Sequence, residues 1–132
     1  LIQPYRLEMG TKLKTKKGKN LYEFWGDKLT SSLNNTLLSS KSSVLVNLAS
    51  NEYFSSLNYD TINADILDIK FLDKKNGSYK IVSFFAKKAR GSMAAFILKN
   101  RVKDINDLKE FKGLGYSFDK SRSEKKSLVF TR

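Results

Sequence analysis

The fold is decided by residues 79–93, which read YKIVSFFAKKARGSM. Residues 79–85 are mainly apolar and aromatic, which predicts a strand. Beyond them, apolar side chains recur at helical spacing and predict a helix over about residues 90–100. A strand is therefore expected to lead directly into a helix, with three cations at the junction. These are Lys87, Lys88 and Arg90.

The charge of this junction points to an anionic ligand. A helix N-terminus carries partial positive charge, so cations placed there oppose the helix dipole. The arrangement becomes favourable when phosphate binds, because backbone N–H groups and cationic side chains then face one negative charge. Alternatively, the helix begins later, near Ser92, and the cations belong to a solvated turn. The local pattern leaves both interpretations open.

A sheet is predicted on the N-terminal side of the junction. Residues 65–72 alternate polar and apolar side chains, as a strand does. Asn76-Gly77 is a strong hairpin signal and predicts pairing with a return strand over residues 78–85. Residues 43–49, SVLVNLA, form a short β-branched run typical of a buried strand.

The remaining elements complete an α+β class. A long amphipathic helix is predicted over about residues 20–39, because its leucines recur at four-residue intervals. Asn20 and Glu23 fit a capping box at its start. Residues 127–131 predict a last strand paired with residues 116–118. The expected architecture is a single domain with a mixed, mostly antiparallel sheet and two main helices.

Trp25 lies on the apolar stripe of the predicted long helix. An aromatic side chain on such a stripe is usually a packing residue in a core or at an interface. Stacking on a nucleobase is the less common alternative.

Composition limits the possible functions. The chain has 132 residues, with 25 Lys and Arg against 13 Asp and Glu, a net charge of +12. Such a charge favours polyanionic partners such as DNA, RNA, nucleotides or an anionic membrane. Because there is no Cys and no His, thiolate and imidazole catalysis and typical zinc or iron sites are excluded within this chain. No cofactor or metal is predicted, and an enzyme would depend on Asp, Glu, Lys, Tyr, Ser or oxygen-bound Mg²⁺.

No apolar run approaches the ~18 residues of a membrane-spanning helix, and no signal peptide is recognisable. The absence of cysteine fits a cytoplasmic protein. The first residue is Leu rather than Met, so the chain is expected to be part of a longer protein. The oligomeric state is not predicted.

A lysine-rich arm over residues 11–20 is a second candidate for phosphate contact, although such a run is often simply solvated. Its lysines are Lys12, Lys14, Lys16, Lys17 and Lys19.

A third candidate is the turn formed by Lys112, Gly113 and Gly115. A Gly-apolar-Gly turn after a short amphipathic segment resembles the hairpin of helix-hairpin-helix DNA binders. There, glycine lets backbone N–H groups approach a phosphate closely. Residues 116–118 read as a strand rather than a second helix, so a simple helix terminator at Gly115 is the alternative.

A different set of polar residues could line a pocket. Two of them alternate with apolar residues near the start of the chain, and three lie where the strand over residues 43–49 ends and a short helix begins. Ligands gather at the carboxyl ends of strands in open α/β sheets, whereas caps, turns and surface ion pairs explain the same residues without a ligand. The set is Arg6, Glu8, Asn47, Ser50 and Glu52.

Four long motifs together resemble the YaaA family of bacterial peroxide stress resistance proteins. They are residues 3–10 (QPYRLEMG), 21–27 (LYEFWGD), 47–54 (NLASNEYF) and 84–93 (FFAKKARGSM). Residues 115–118 and 128–130 fit as well. Family members are about twice as long, so the chain is similar to their C-terminal half.

The resemblance implies an α+β fold particular to the family, part of a larger unit with a positively charged cleft and a helix-hairpin-helix element. It also implies a cytosolic protein that binds duplex or locally opened DNA and protects cells against hydrogen peroxide. No catalytic activity is firmly attached to the family.

Two functions follow as hypotheses. The first is a DNA-binding protein of the peroxide stress response, holding the phosphate backbone largely without sequence specificity. The alternative is an enzyme acting on a nucleotide or nucleic acid, with Glu8 or Glu52 as base or Mg²⁺ ligand. Membrane association is weaker, because a basic amphipathic helix with a free apolar face is not evident.

Overall fold

The computed structural model describes residues 8–12 and 15–132. They fall into two units, each with its own internal contacts. The sheet unit comprises Val44–Leu48 and Asp65–Arg132, and the helical unit comprises the described residues of Leu1–Ser43 and Ala49–Ala64. Arg6 and most of the alternating segment around it lie outside the described residues.

A five-stranded mixed sheet forms the centre of the sheet unit. Its strands are β1 (Val44–Asn47), β2 (Asp65–Lys75), β3 (Ser78–Lys80), β4 (Ser117–Phe118) and β5 (Ser127–Thr131). Strand β2 lies between β1 and β5 and runs parallel to both. The antiparallel pairs are β2 with β3 and β4 with β5.

The α+β class and the mixed sheet are confirmed, but parallel pairing occupies the centre where mostly antiparallel pairing was expected. The antiparallel hairpin is shorter than predicted, because its return strand ends at Lys80 instead of continuing to residue 85 and β3 pairs only with the end of β2. The rest of β2 pairs in parallel, with β1 along Asp65–Asp68 and with β5 from Asp68↔Ser127 onward.

Helix α4 (Ser83–Asn100) packs against this sheet. Ala86, Ala89 and Met93 are buried along one side of the helix, and they join Leu67, Ile69 and Phe71 of β2 in the hydrophobic core. The spacing of the buried residues is three to four along the helix and two along the strand, as each geometry requires. A ring of aromatic side chains completes this core. It includes Phe71, Phe111, Tyr116 and Phe130.

The start of α4 differs from the prediction. The helix begins at Ser83 rather than near residue 90, so Phe84 and Phe85 are helical and not part of a strand. The sequence AKKA that follows favours helix, and burial of Ala86 and Ala89 against the sheet requires helical spacing from the first turn. The successive aromatic residues Phe84 and Phe85 favour a strand by local sequence, but the packing of Ala86 and Ala89 against the sheet makes this segment helical.

The helical unit contains α1 (Leu21–Trp25), α2 (Lys28–Ser40) and α3 (Asn51–Phe54). The long helix predicted over residues 20–39 is present as α1 and α2, interrupted at Gly26, whose φ of 48° ends α1. Glycine adopts such a positive φ at low cost, because it has no Cβ atom, and it therefore suits a break between two helices.

The cap of α1 is confirmed. The Asn20 side chain accepts a hydrogen bond from the Glu23 backbone N–H, and Glu23 Oε2 accepts one from the Lys19 N–H.

Short 3₁₀ helices occupy the remaining turns, at Tyr59–Thr61, Ile105–Glu110, Gly113–Gly115 and Lys120–Arg122. Across residues 8–12 and 15–132, no helix combines the length and the apolar character needed to cross a membrane.

Candidate nucleic-acid interface

Helix α4 carries basic side chains and no acidic ones. Lys87 and Lys88 are exposed and Arg90 is half-buried, because the intervening Ala86 and Ala89 take the side that faces the core. Residues 83–100 contain four cations and no acidic side chain. The helix surface is therefore positive at residues 87–90 and again at Lys99.

These cations have no acidic partner in the described part of the chain. The ion pairs found among residues 8–12 and 15–132 involve Arg122, Lys126 and Arg132 instead. Lys88 Nζ lies 4.5 Å from the centre of the Phe84 ring, one turn earlier in the helix. This contact orients the ammonium group without neutralising it.

The helix begins earlier in the chain than predicted, so the predicted position of the strand-to-helix junction is wrong. Since α4 begins at Ser83, the cations lie beyond its first turn and not at its N-terminus. Free backbone N–H groups occur only in the first turn, so the N–H groups and the cations do not converge on one point. Any phosphate at Lys87, Lys88 or Arg90 would be held by side chains.

The glycine turn at Lys112–Gly115 lies against α4. A Cβ atom on Gly113 would clash with the Phe111 ring and come within 2.7 Å of Ser92 Oγ. Only glycine allows this approach. The turn is thus fixed beside the helix that carries Lys87, Lys88 and Arg90, within the same unit.

The elements before and after this turn are not the two α-helices of a helix-hairpin-helix. A 3₁₀ helix, Ile105–Glu110, precedes it, and strand β4 follows it. Burial of Tyr116 and pairing of Ser117 with Thr131 hold the following residues extended. The strand expected after the turn, in place of a second helix, is present as β4. The helix-hairpin-helix expectation therefore does not hold for this turn.

The side chain that fixes the turn is Arg132, which was not among the residues predicted from the sequence. Its Nη1 donates to the Leu114 carbonyl at 2.9 Å, and its Nε donates to Asp73 Oδ1 at 2.6 Å. Tyr116 Oη donates to the other oxygen of the same carboxylate at 2.7 Å. The guanidinium group also stacks over the rings of Tyr116 and Phe85.

This arrangement of Arg132, Asp73 and Tyr116, the Arg132 cluster, has clear electrostatic consequences. Burial raises the pKa of Tyr116 to about 12, and the hydrogen bond to Asp73 adds to the rise. The hydrogen bond to Asp73 also raises the pKa of Arg132. A usable sequence signal existed, because Asp73 continues the inward alternation of Ile69 and Phe71, and a buried carboxylate needs partners.

The lysine-rich arm belongs to the helical unit. Thr15 and Gly18 form a tight reverse turn, in which the Gly18 N–H donates to the Thr15 carbonyl at 3.4 Å. Lys12, Lys16 and Lys17 are exposed, whereas Lys14 lies outside the described residues. The arm thus exposes cations to solvent, as a phosphate-binding segment requires.

Two of the predicted pocket residues, Glu52 and Asn47, make structural hydrogen bonds. Glu52 Oε1 accepts from the Met9 N–H at 3.0 Å, and the Glu52 carbonyl accepts from Tyr22 Oη at 2.9 Å. Glu52 therefore anchors the segment that carries the exposed Glu8. Ser50 is the N-cap residue of α3 but makes no side-chain capping hydrogen bond.

Asn47 belongs to the sheet unit, where its Nδ2 donates to Asp68 Oδ1 on the adjacent parallel strand at 2.8 Å. This hydrogen bond supplies a partner that a polar side chain in an apolar strand needs. Arg6 lies outside the described residues. Over the described residues, the acidic side chains form no group of three that could hold a metal ion.

Comparison with known proteins gives two findings. Residues 1–122 match the family described as "Peroxide stress protein YaaA". The chain is 60% identical over its whole length to UPF0246 protein IL2146 of Idiomarina loihiensis and covers 51% of that protein. It is 52% identical to a UPF0246 protein of Saccharophagus degradans, of which it covers 52%. The chain spans about half the length of these curated relatives.

Proposed function

The chain belongs to the peroxide stress protein YaaA family, and from this premise we propose that it binds DNA through the cations of α4. The observation that carries the proposal is the charge of this helix: residues 83–100 contain four cations and no acidic residue. In the described part of the chain, none of the four is paired with a carboxylate.

The shape of the surface favours a long polyanion over a small ligand. Lys87 and Lys88 are exposed on a rigid helix, which suits contact with a phosphate backbone rather than enclosure of a single anion. Backbone contacts position a protein on DNA without reading the bases. The binding is thus largely independent of sequence.

The glycine turn adds a second contact region on the same unit. Gly113 lies against Ser92 of α4, and Lys112 beside it is exposed. The exposed lysines of the arm, Lys12, Lys16 and Lys17, give the helical unit a positive surface of its own. The family is described as a peroxide stress protein, which supports a role for the proposed DNA binding in the response to peroxide.

Salt-titrated binding isotherms on duplex DNA test the proposal. We compare the protein with the triple variant Lys87→Ala/Lys88→Ala/Arg90→Ala. Affinity should fall, and the slope of log K against log salt should decrease by roughly 0.9 for each phosphate contact removed.

A matched control removes the same charge elsewhere on the sheet unit. Lys74→Ala/Lys75→Ala/Lys80→Ala changes three exposed lysines of the β2–β3 hairpin. This variant should lose much less affinity than the α4 triple variant. Equal losses would mean that only net charge matters, and a protein that does not bind duplex DNA at low salt would overturn the proposal.

The enzyme alternative has less support. Glu52 and Asn47 are engaged in the hydrogen bonds that hold their own segments. A catalytic site that used nucleotide and Mg²⁺ would raise the melting temperature when both are added. An unchanged melting temperature is the result expected here.

A further inference from the structure

The helical unit contains a hollow whose aromatic side chains have no role in the proposed DNA-binding surface. The α1–α2 hollow lies at the break between the two helices and is a wide depression of about 800 Å³ that is largely open to solvent. Residues of the arm, α1 and α2 line it, among them Lys17, Phe24, Trp25, Lys28, Ser31 and Asn35. Its volume falls within the range of about 300–1,000 Å³ found for small-molecule sites.

The break at Gly26 shapes the hollow. If α1 and α2 formed one continuous helix, Trp25 would continue the leucine stripe as a packing residue. With φ of 48° at Gly26, the chain turns instead, and Trp25 remains 38% exposed at the wall of the hollow. A large aromatic ring at the surface of a concave site is a platform for another flat ring.

The neighbouring aromatic ring is also held in place. Phe24 and Trp25 are perpendicular, with ring centres 5.4 Å apart, so they do not stack face to face. Lys17 Nζ lies 5.6 Å from the centre of the Phe24 ring. This brings a cation of the lysine-rich arm to the edge of the hollow.

Charge distinguishes between a base and a phosphate as the occupant. The positive lining residues Lys17 and Lys28 are matched by the negative Glu23 and Asp27. The lining is thus neutral and does not attract a phosphate. The rest of the adjacent arm is strongly positive, with Lys12, Lys16 and Lys19 exposed as well. A neutral aromatic hollow beside a cationic arm fits an uncharged ring carried on an anionic backbone.

Helix α2 supplies polar groups for the edge of such a ring. Lys28, Ser31, Ser32 and Asn35 all line the hollow and follow the helical spacing that places them on one face. Hydroxyl and amide groups both donate and accept hydrogen bonds. They can therefore pair with the edges of different bases, without strong selection among them.

We propose that the α1–α2 hollow binds an unpaired nucleobase, with Trp25 as the stacking platform and the lysines of the arm holding the flanking phosphates. The proposal rests on the proposed DNA binding and adds to it a site for the base. Aromatic platforms beside basic grooves are the means by which proteins bind single strands without sequence preference.

Trp25 provides the test, because it is the single tryptophan of the 132-residue chain. Its fluorescence is followed during titration with an oligothymidylate of about ten nucleotides, near the middle of known site sizes. The same titration is made with an abasic strand of equal length, which keeps the phosphates and lacks the bases. Quenching by the oligothymidylate and not by the abasic strand is the expected result.

Substitution gives a second, independent measurement. Fluorescence anisotropy of labelled strands should show that Trp25→Ala weakens binding of the oligothymidylate by about tenfold and leaves the abasic strand unaffected. Tyr53→Ala is the matched control, since Tyr53 is an exposed aromatic residue of α3 in the same unit. It should bind both strands as the unsubstituted protein does.

The outcomes separate this proposal from the previous one. Equal affinity for both strands, with unchanged Trp25 fluorescence, overturns the base site and leaves DNA binding intact. Failure to bind either strand, or duplex DNA, at low salt overturns both. Should Trp25→Ala not fold, the fluorescence comparison on the unsubstituted protein still decides the question.

Discussion

At the scale of single residues, the Arg132 cluster connects the sheet to the glycine turn. The Asp73 carboxylate accepts from both Tyr116 and Arg132, and Arg132 reaches on to the Leu114 carbonyl. Asp73 and Tyr116 are both buried. Each partner therefore satisfies a polar group that would otherwise be costly to bury.

We expect Tyr116→Phe to lower the free energy of unfolding by about 1–3 kcal/mol, because one oxygen of a buried carboxylate loses its donor. Urea denaturation followed by circular dichroism measures the change. Tyr53→Phe, at an exposed position, should leave the stability nearly unchanged. A similar loss in both variants would contradict this role for Tyr116.

The raised pKa of Tyr116 predicts a pH dependence at alkaline pH. Because the folded pKa, about 12, exceeds the unfolded value, protonated Tyr116 contributes its full stabilisation below about pH 10. This contribution is lost as the pH rises towards about 12. Unfolding free energies measured between these limits should fall with pH, and the fall should be shallower in Tyr116→Phe. Identical profiles would contradict the assignment.

At the scale of elements, two glycines near α4 should respond in opposite ways to alanine. Gly113→Ala introduces a Cβ that meets the Phe111 ring and Ser92 Oγ, and we expect a loss of about 1–3 kcal/mol from overpacking. Gly91 lies within α4 with open space around it. Gly91→Ala should stabilise the protein by about 0.5–1 kcal/mol through helix propensity.

Thermal unfolding of the two variants checks this prediction. Equal and small effects would mean that Gly113 is not confined by α4. Because Gly91 is exposed beside the cations, Gly91→Ala also controls for changes in helix stability in the DNA-binding assays.

The elements also show what a sequence can predict. Strands β1, β2 and β5 and the Asn76-Gly77 hairpin were predictable, because alternation, β-branched residues and turn residues are local signals. The start of α4 was not, since Phe84 and Phe85 favour a strand by composition and only burial of Ala86 and Ala89 makes them helical. The break at Gly26 had a signal in the glycine itself, which the strong leucine periodicity outweighed.

The candidate site was predictable in composition but not in geometry. Lys87, Lys88 and Arg90 were identified from sequence, and the structure shows them on a helix surface instead of a helix start. Arg132 was missed because its partners, Asp73 and Leu114, are far away in sequence. Contacts of this kind depend on the sheet topology, which no local pattern contains.

At the scale of the whole molecule, charge affects stability as well as binding. The net charge is +12, and the ion pairs in the described part of the chain are few. Like charges therefore repel one another in the folded protein, and salt screens this repulsion. We expect the melting temperature to rise between low and moderate sodium chloride.

Differential scanning calorimetry without DNA measures this effect. The same increase in salt should weaken DNA binding, so the two quantities should move in opposite directions. A melting temperature that falls with salt would mean that attractive ion pairs dominate the folded protein.

The position of β5 beside β2 has a consequence for how the protein is made. Asp73 and Arg132, which lie on or beside these neighbouring strands, are 59 residues apart in the chain. During translation β2 emerges long before its central partner, with one edge of backbone groups unpaired. Sheet closure must wait for the residues of β5, and such distant pairing slows folding. The newly synthesised chain is thus most exposed to aggregation before β5 has left the ribosome.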